Sequence, residues 1–71
     1  MLIKGMSAIE FWRIRRYLGC TGKEMAFHLG LSSRTITRLE NGARIQGPVR
    51  EAMRAMEKLK QHNQPWKRGM I

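Results

Sequence analysis

One local pattern occurs twice in this chain and sets its architecture: Ser7-Ala8-Ile9-Glu10 and Thr21-Gly22-Lys23-Glu24 each place a glutamate three positions after a hydroxyl residue. In that pattern the hydroxyl and the carboxylate satisfy each other's orphan backbone N–H groups, so each copy marks a helix start. Glycine supplies the stops, because it enters the left-handed conformation that closes a helix without steric cost. A first helix is therefore predicted over about 8–18, ending at Gly19, and a short second one over about 22–29, ending at Gly30. Ser32 is the N-cap of a third over about 33–40, with Asn41-Gly42 as its stop. Gly47-Pro48 opens a fourth over about 48–62, since proline at the first helical position sacrifices no backbone bond. Asn63-Gln64-Pro65 breaks that helix. Residues 1–6 are left as an N-terminal arm and 63–71 as a basic C-terminal tail. No strand-length alternation interrupts this series, so the predicted class is all-α.

On a helical wheel Phe11, Ile14, Arg15 and Leu18 share one face of the first helix, with Trp12 on its flank and Ile9, Arg13 and Arg16 opposite. Its core face thus contains an arginine. Met25, Ala26 and Leu29 form the inner stripe of the second helix, Ile36 and Leu39 that of the third, and Val49, Ala52, Met53, Met56 and Leu59 that of the fourth. The methionines serve as adaptable core filling. Seventy-one residues make one small domain. A chain of this size buries only about 60% of its unfolded surface, which argues against a deep substrate cavity.

Fourteen Lys and Arg against five acids, all Glu, give a net charge of +9. Such a balance suits a polyanion, because each cation placed on a phosphate releases condensed counterions. A solvated basic face, or a basic helix lying on anionic lipid, are other uses of the same charge. Catalysis is not expected: there is no Asp, and His28 and His62 have no carboxylate pair beside them. Neither a metal site, a cofactor nor a small-molecule substrate is expected. Cys20 alone cannot form an internal disulfide and suits a reducing compartment, as a buried inert thiol or a redox-sensitive one. No apolar run approaches the roughly 18 residues of a membrane span, and Met1-Leu2-Ile3-Lys4 lacks a signal-peptide apolar region. A cytoplasmic protein with no membrane partner is predicted.

Two short capped helices joined at Gly30-Leu31-Ser32 describe a helix-turn-helix, in which the second helix enters the major groove. With Ile36 and Leu39 inside, Ser33, Arg34, Thr37 and Arg38 fall together on the opposite, acid-free face. Arginine can make paired hydrogen bonds to guanine, and Ser or Thr can serve a base or a phosphate. The alternative is a merely solvated face of an amphipathic helix.

The stretch Ile14-Arg15, Leu18-Gly19, Thr21, Glu24-Met25-Ala26, Leu29-Gly30-Leu31-Ser32 and Thr35-Ile36-Thr37-Arg38-Leu39-Glu40-Asn41-Gly42 resembles the Cro and C1 repressor type (XRE-like) helix-turn-helix domain. The closing Glu-Asn-Gly of the third helix is the most specific part of that likeness. It implies a compact four-helix, or five-helix, lambda-repressor-like fold. It implies that Arg15 pairs with Glu40, locking the first helix to the third. It also places Ser33, Arg34 and Arg38 on base edges, with Thr37 as a further reader, and Thr21, Ser32, Thr35, Asn41 and Arg44 on the DNA backbone, with Ala43 close by. Where the family usually has Gln at the start of its second helix, this chain has Gly22, and Lys23 is the candidate replacement for that phosphate contact. A long fourth helix and a tail stand where the family commonly has a fifth helix.

His28 is expected at the surface or on the phosphate side of the second helix. Ile9, Trp12, Phe27 and Trp66 are predicted to leave more apolar surface exposed than a soluble monomer carries. Either they form a homodimer contact or the tail folds back over them. The function implied is a transcriptional repressor that binds double-stranded DNA as a dimer on an inverted-repeat operator and regulates its own gene, like small phage or mobile-element autorepressors, Cro-like or anti-CRISPR-associated. The alternative is an antitoxin or adaptor whose main partner is another protein.

Overall fold

A computed structural model of the chain describes residues 5–67, in which the chain forms α1 (Ala8–Tyr17), α2 (Gly22–Leu29), α3 (Ser33–Glu40) and α4 (Gly47–Gln61). There is no strand among the described residues, and the architecture is all-α. No helix among them is long and apolar enough to cross a membrane. Residues 1–4 of the predicted arm and 68–71 of the predicted tail lie outside the described residues.

Both capping boxes close. Ser7 Oγ accepts from the Glu10 N–H at 3.1 Å while the Glu10 carboxylate accepts from the Ser7 N–H at 3.2 Å. The same exchange joins Thr21 and Glu24 at 3.1 and 2.8 Å. The backbone N–H of Thr21, and after it the Thr21 hydroxyl, hold the Glu24 carboxyl below the ordinary glutamate range. Ser32 caps α3 by accepting from the Thr35 N–H at 3.1 Å. Helix α4 has no side-chain cap at Gln46 and instead carries Pro48 in its first turn.

All four helices end in the same way. Gly19, Gly30, Gly42 and Asn63 adopt positive φ of 73°, 70°, 108° and 56°. In each case the following N–H reaches back five residues: Cys20 to Arg15 O at 3.2 Å, Leu31 to Ala26 O at 2.8 Å, Ala43 to Arg38 O at 3.0 Å and Gln64 to Leu59 O at 2.9 Å. This closure satisfies a carbonyl that a helix end otherwise leaves open. Leu18 is the cap of α1, and α4 runs one residue earlier at both ends than predicted, with His62 as its cap. Asn63 enters the left-handed region that asparagine tolerates better than most side chains, so the stop precedes Pro65.

The core combines Phe11, Ile14 and Leu18 of α1, Met25 and Ala26 of α2, Ile36 and Leu39 of α3, and Met53 and Met56 of α4, with Cys20 between α1 and α2. Helix α3 packs against both α2 and α1, and α1 also packs against α4. Met6 and Ile45 join this core at 7% and 8% exposure. Met6 comes from the segment predicted as an arm and Ile45 from the α3–α4 connection, where no periodicity marks a buried position. Trp66 folds back and packs, half-buried, against the core.

Candidate nucleic-acid interface

Helix α3 is braced from behind. Arg15 of α1 donates to both carboxylate oxygens of Glu40, through Nε to Oε2 and through Nη2 to Oε1 at 3.0 Å. Its remaining Nη1 donates to the Cys20 carbonyl at 2.9 Å. One guanidinium therefore ties α1 to the end of α3 and to the α1–α2 corner. The two side chains are only 14% and 17% exposed, so the pair works in partly desolvated surroundings. The hydrogen bond to Glu40 raises the Arg15 pKa above its ordinary value, outweighing the opposing effect of burial.

With Ile36 and Leu39 turned into the core, Ser33, Arg34, Thr37 and Arg38 all lie exposed on the other side of α3. Arg34 and Arg38 have no hydrogen bond or ion pair among the described residues, and the Thr37 hydroxyl donates back to the Ser33 carbonyl at 3.2 Å. Thr35 is half-buried at the start of the helix, where its hydroxyl lies 2.9 Å from that of Ser32. Past the end of α3, Asn41 and Arg44 are exposed, and a groove runs between Arg38 and Arg44 over Leu31, Thr35, Ala43 and Val49. Thr21 and Lys23 are exposed at the start of α2, Thr21 acting as its cap.

The glutamates of the described residues lie away from this face. Glu40 faces Arg15, Glu24 closes its capping box, and Glu10 and Glu57 lie 2.9 and 3.5 Å from the Arg54 guanidinium. Glu51 stands on α4. A basic, hydroxyl-bearing and acid-free surface is left on α3, with paired donors on Arg34 and Arg38 free to meet a planar acceptor edge or a phosphate.

The four residues predicted to be exposed together divide. Ile9, Phe27 and Trp12 are 75%, 62% and 45% exposed, whereas Trp66 is turned onto the core. Of the two alternatives, Trp66 takes the fold-back: it lies against the core beside His28 of α2. The refolded tail nevertheless leaves Phe27 open. His28 is likewise not a plain surface residue. Its ring stands edge-on between Phe27 and Trp66, at 5.5 Å from each, and its buried Nδ1 has no partner among the described residues. Neither the His28–Trp66 contact nor the Glu10–Arg54 bridge from α1 to α4 has a local sequence signal, because both join residues far apart in the chain. Burial pushes the Cys20 thiol pKa up. Among the described residues no three metal-ligating side chains come together.

Comparison with known protein families, with characterised proteins and with solved structures gives no match.

Proposed function

We propose that this chain is a sequence-specific, double-stranded-DNA-binding repressor of the Cro and C1 type, with a lambda-repressor-like helix-turn-helix formed by α2 and α3. The observation that carries this reading is the acid-free outer face of α3, where two guanidiniums without partners among the described residues stand beside two hydroxyl residues. Arg34 and Arg38 read base edges in the major groove, with Ser33 and Thr37 beside them. Thr21, Lys23, Ser32, Thr35, Asn41 and Arg44 position the domain on the sugar-phosphate backbone. Arg15 and Glu40 touch no DNA and hold the reading helix at a fixed angle to α1. The protein works as a homodimer on an inverted repeat and represses by occupying promoter DNA, its own promoter included.

Footprinting on the DNA upstream of its own gene tests this. The expected protection covers two half-sites about 10 base pairs apart, or a multiple of that, since successive major grooves on one face recur at that spacing. With about eight phosphate contacts per dimer, log affinity falls against log salt with a slope near –7. A slope near zero removes nucleic acid as the partner. The exposed Ile9, Trp12 and Phe27 favour a second reading, an antitoxin or adaptor, and a stoichiometric co-purifying protein together with a flat salt response would select it.

A further inference from the structure

The outward face of α4 is complementary to itself. Met53 and Met56 point α4 into the core, which leaves Pro48, Glu51, Ala55, Lys58 and His62 exposed on the far side, with Ala52 and Leu59 half-buried along one edge. These residues fall into rows seven positions apart: Glu51 and Lys58 on one flank, Pro48, Ala55 and His62 along the middle, Ala52 and Leu59 on the other flank. Seven residues return to nearly the same side of a helix, so each row is straight. A shallow groove lined by Ala55, Lys58, Leu59, His62 and Gln64 occupies the C-terminal half of the face. Glu51 and Lys58 have no hydrogen bond or ion pair among the described residues, in contrast to Glu10, Glu24, Glu40 and Glu57.

We propose that a second copy of this chain docks here, α4 against α4 in antiparallel sense, about a two-fold axis at Ala55. Such an axis keeps each flank on its own side while reversing the helix direction. Glu51 of one copy then meets Lys58 of the other, and the same pair repeats across the axis. On the opposite flank Leu59 lies over Ala52 of the second copy, a large residue against a small one, again twice. Ala55 meets its own counterpart, where the absence of a long side chain lets the helices approach. The groove receives the Pro48 end of the second α4. One patch thus supplies both halves of an isologous contact.

The rival face on α1 lacks this property. Ile9 and Trp12 are exposed there, but Arg13 and Arg16 stand beside them, and Arg16 lies 5.2 Å over the Trp12 ring. A two-fold pairing of α1 brings cations together, and the nearby Glu10 is bonded to Arg54.

This inference concerns the dimer of the reading above and does not depend on DNA, so its test omits DNA. Sedimentation equilibrium is run on the full chain as wild type, Glu51→Lys, Lys58→Glu and the double exchange, with thermal melts as a folding control. Within one chain the two side chains are about 10 Å apart along the helix, beyond effective screening range, so rescue by exchange needs a second chain. Each single variant is expected to weaken self-association by about tenfold or more, and the double variant to restore it. Mixing the two single variants should yield a heterodimer tighter than either homodimer. A wild type that stays monomeric at millimolar concentration overturns the proposal and leaves the DNA reading to its own footprint. A dimer that ignores both exchanges but dissociates on Trp12→Ala overturns it by placing the second copy at α1.

Discussion

Arg15 on α1 and Arg38 on α3 carry the same guanidinium into opposite surroundings on helices that pack together. Arg15 has its donors engaged by Glu40 and the Cys20 carbonyl and is largely removed from water. Arg38 is exposed and pairs with nothing among the described residues. The first is a structural clamp because its partners lose their donors if it goes. The second adds little to the fold because water replaces whatever it leaves behind, and its donors stay available for another molecule. Charge alone does not separate these roles; the location of the nearest carboxylate does.

The largest effect should come from breaking the clamp. Arg15→Ala strands the Glu40 carboxylate and the Cys20 carbonyl, and the cost is about 3 kcal/mol of stability, the lower part of the range for a broken buried pair because some solvent reaches this one. Chemical denaturation measures it. Replacing both partners together, as Arg15→Met with Glu40→Leu, should recover most of that loss. Arg38→Ala in the same assay is expected to change stability by less than about 0.5 kcal/mol.

The next effect sharpens the other side of the contrast. Arg34→Ala and Arg38→Ala should each cost about 1 to 3 kcal/mol of binding to the operator, while binding to random duplex falls only by the missing charge. Lys23→Ala should weaken both duplexes alike and flatten the salt slope by about one. Titrations of operator and random duplex at two salt concentrations distinguish these outcomes. Equal losses on both duplexes for the arginine variants would make Arg34 and Arg38 phosphate contacts and move base reading to Ser33, Thr37 or Arg44.

The smallest effect concerns a carboxylate held mainly by its own turn. Glu24 has its pKa lowered by the Thr21 N–H and hydroxyl, so the folded chain binds this proton less readily than the unfolded chain does. Its contribution is complete above the ordinary glutamate value of about 4.3 and is lost as pH falls through the lower folded value. Unfolding followed from pH 6 to pH 3 should therefore show a shallower loss of stability in Glu24→Gln than in wild type.

Helix starts and stops were legible because their chemistry is local: Ser7 with Glu10, Thr21 with Glu24, and a left-handed glycine just past each of α1, α2 and α3, with Asn63 in that place after α4. The α3 face was legible from the wheel, since Ile36 and Leu39 leave Ser33, Arg34, Thr37 and Arg38 nowhere but outside. An arginine at position 15 was visible on a core face, but its partner came only through a resemblance, because a pairing across twenty-five positions leaves no periodic trace. The buried places of Met6, Ile45 and Trp66 were not legible, for the same physical reason. Their burial is set by which surface the chain crosses after leaving a helix, and no hydrophobic repeat encodes that. That Glu51 and Lys58 are unpaired among the described residues became visible only once Glu10, Glu24, Glu40 and Glu57 were seen to be occupied.

Cys20 gives the Arg15 corner a chemical clock. The residue is 6% exposed and its own carbonyl is held by Arg15, so alkylation by a reagent such as iodoacetamide is expected to be faster from the opened corner than from the closed one. Burial also keeps the thiol from ionising readily, which slows attack from the closed state further. With no other cysteine in the chain, a single alkylation rate then reports how often this one joint comes apart, on a timescale of minutes to hours that melting curves average away.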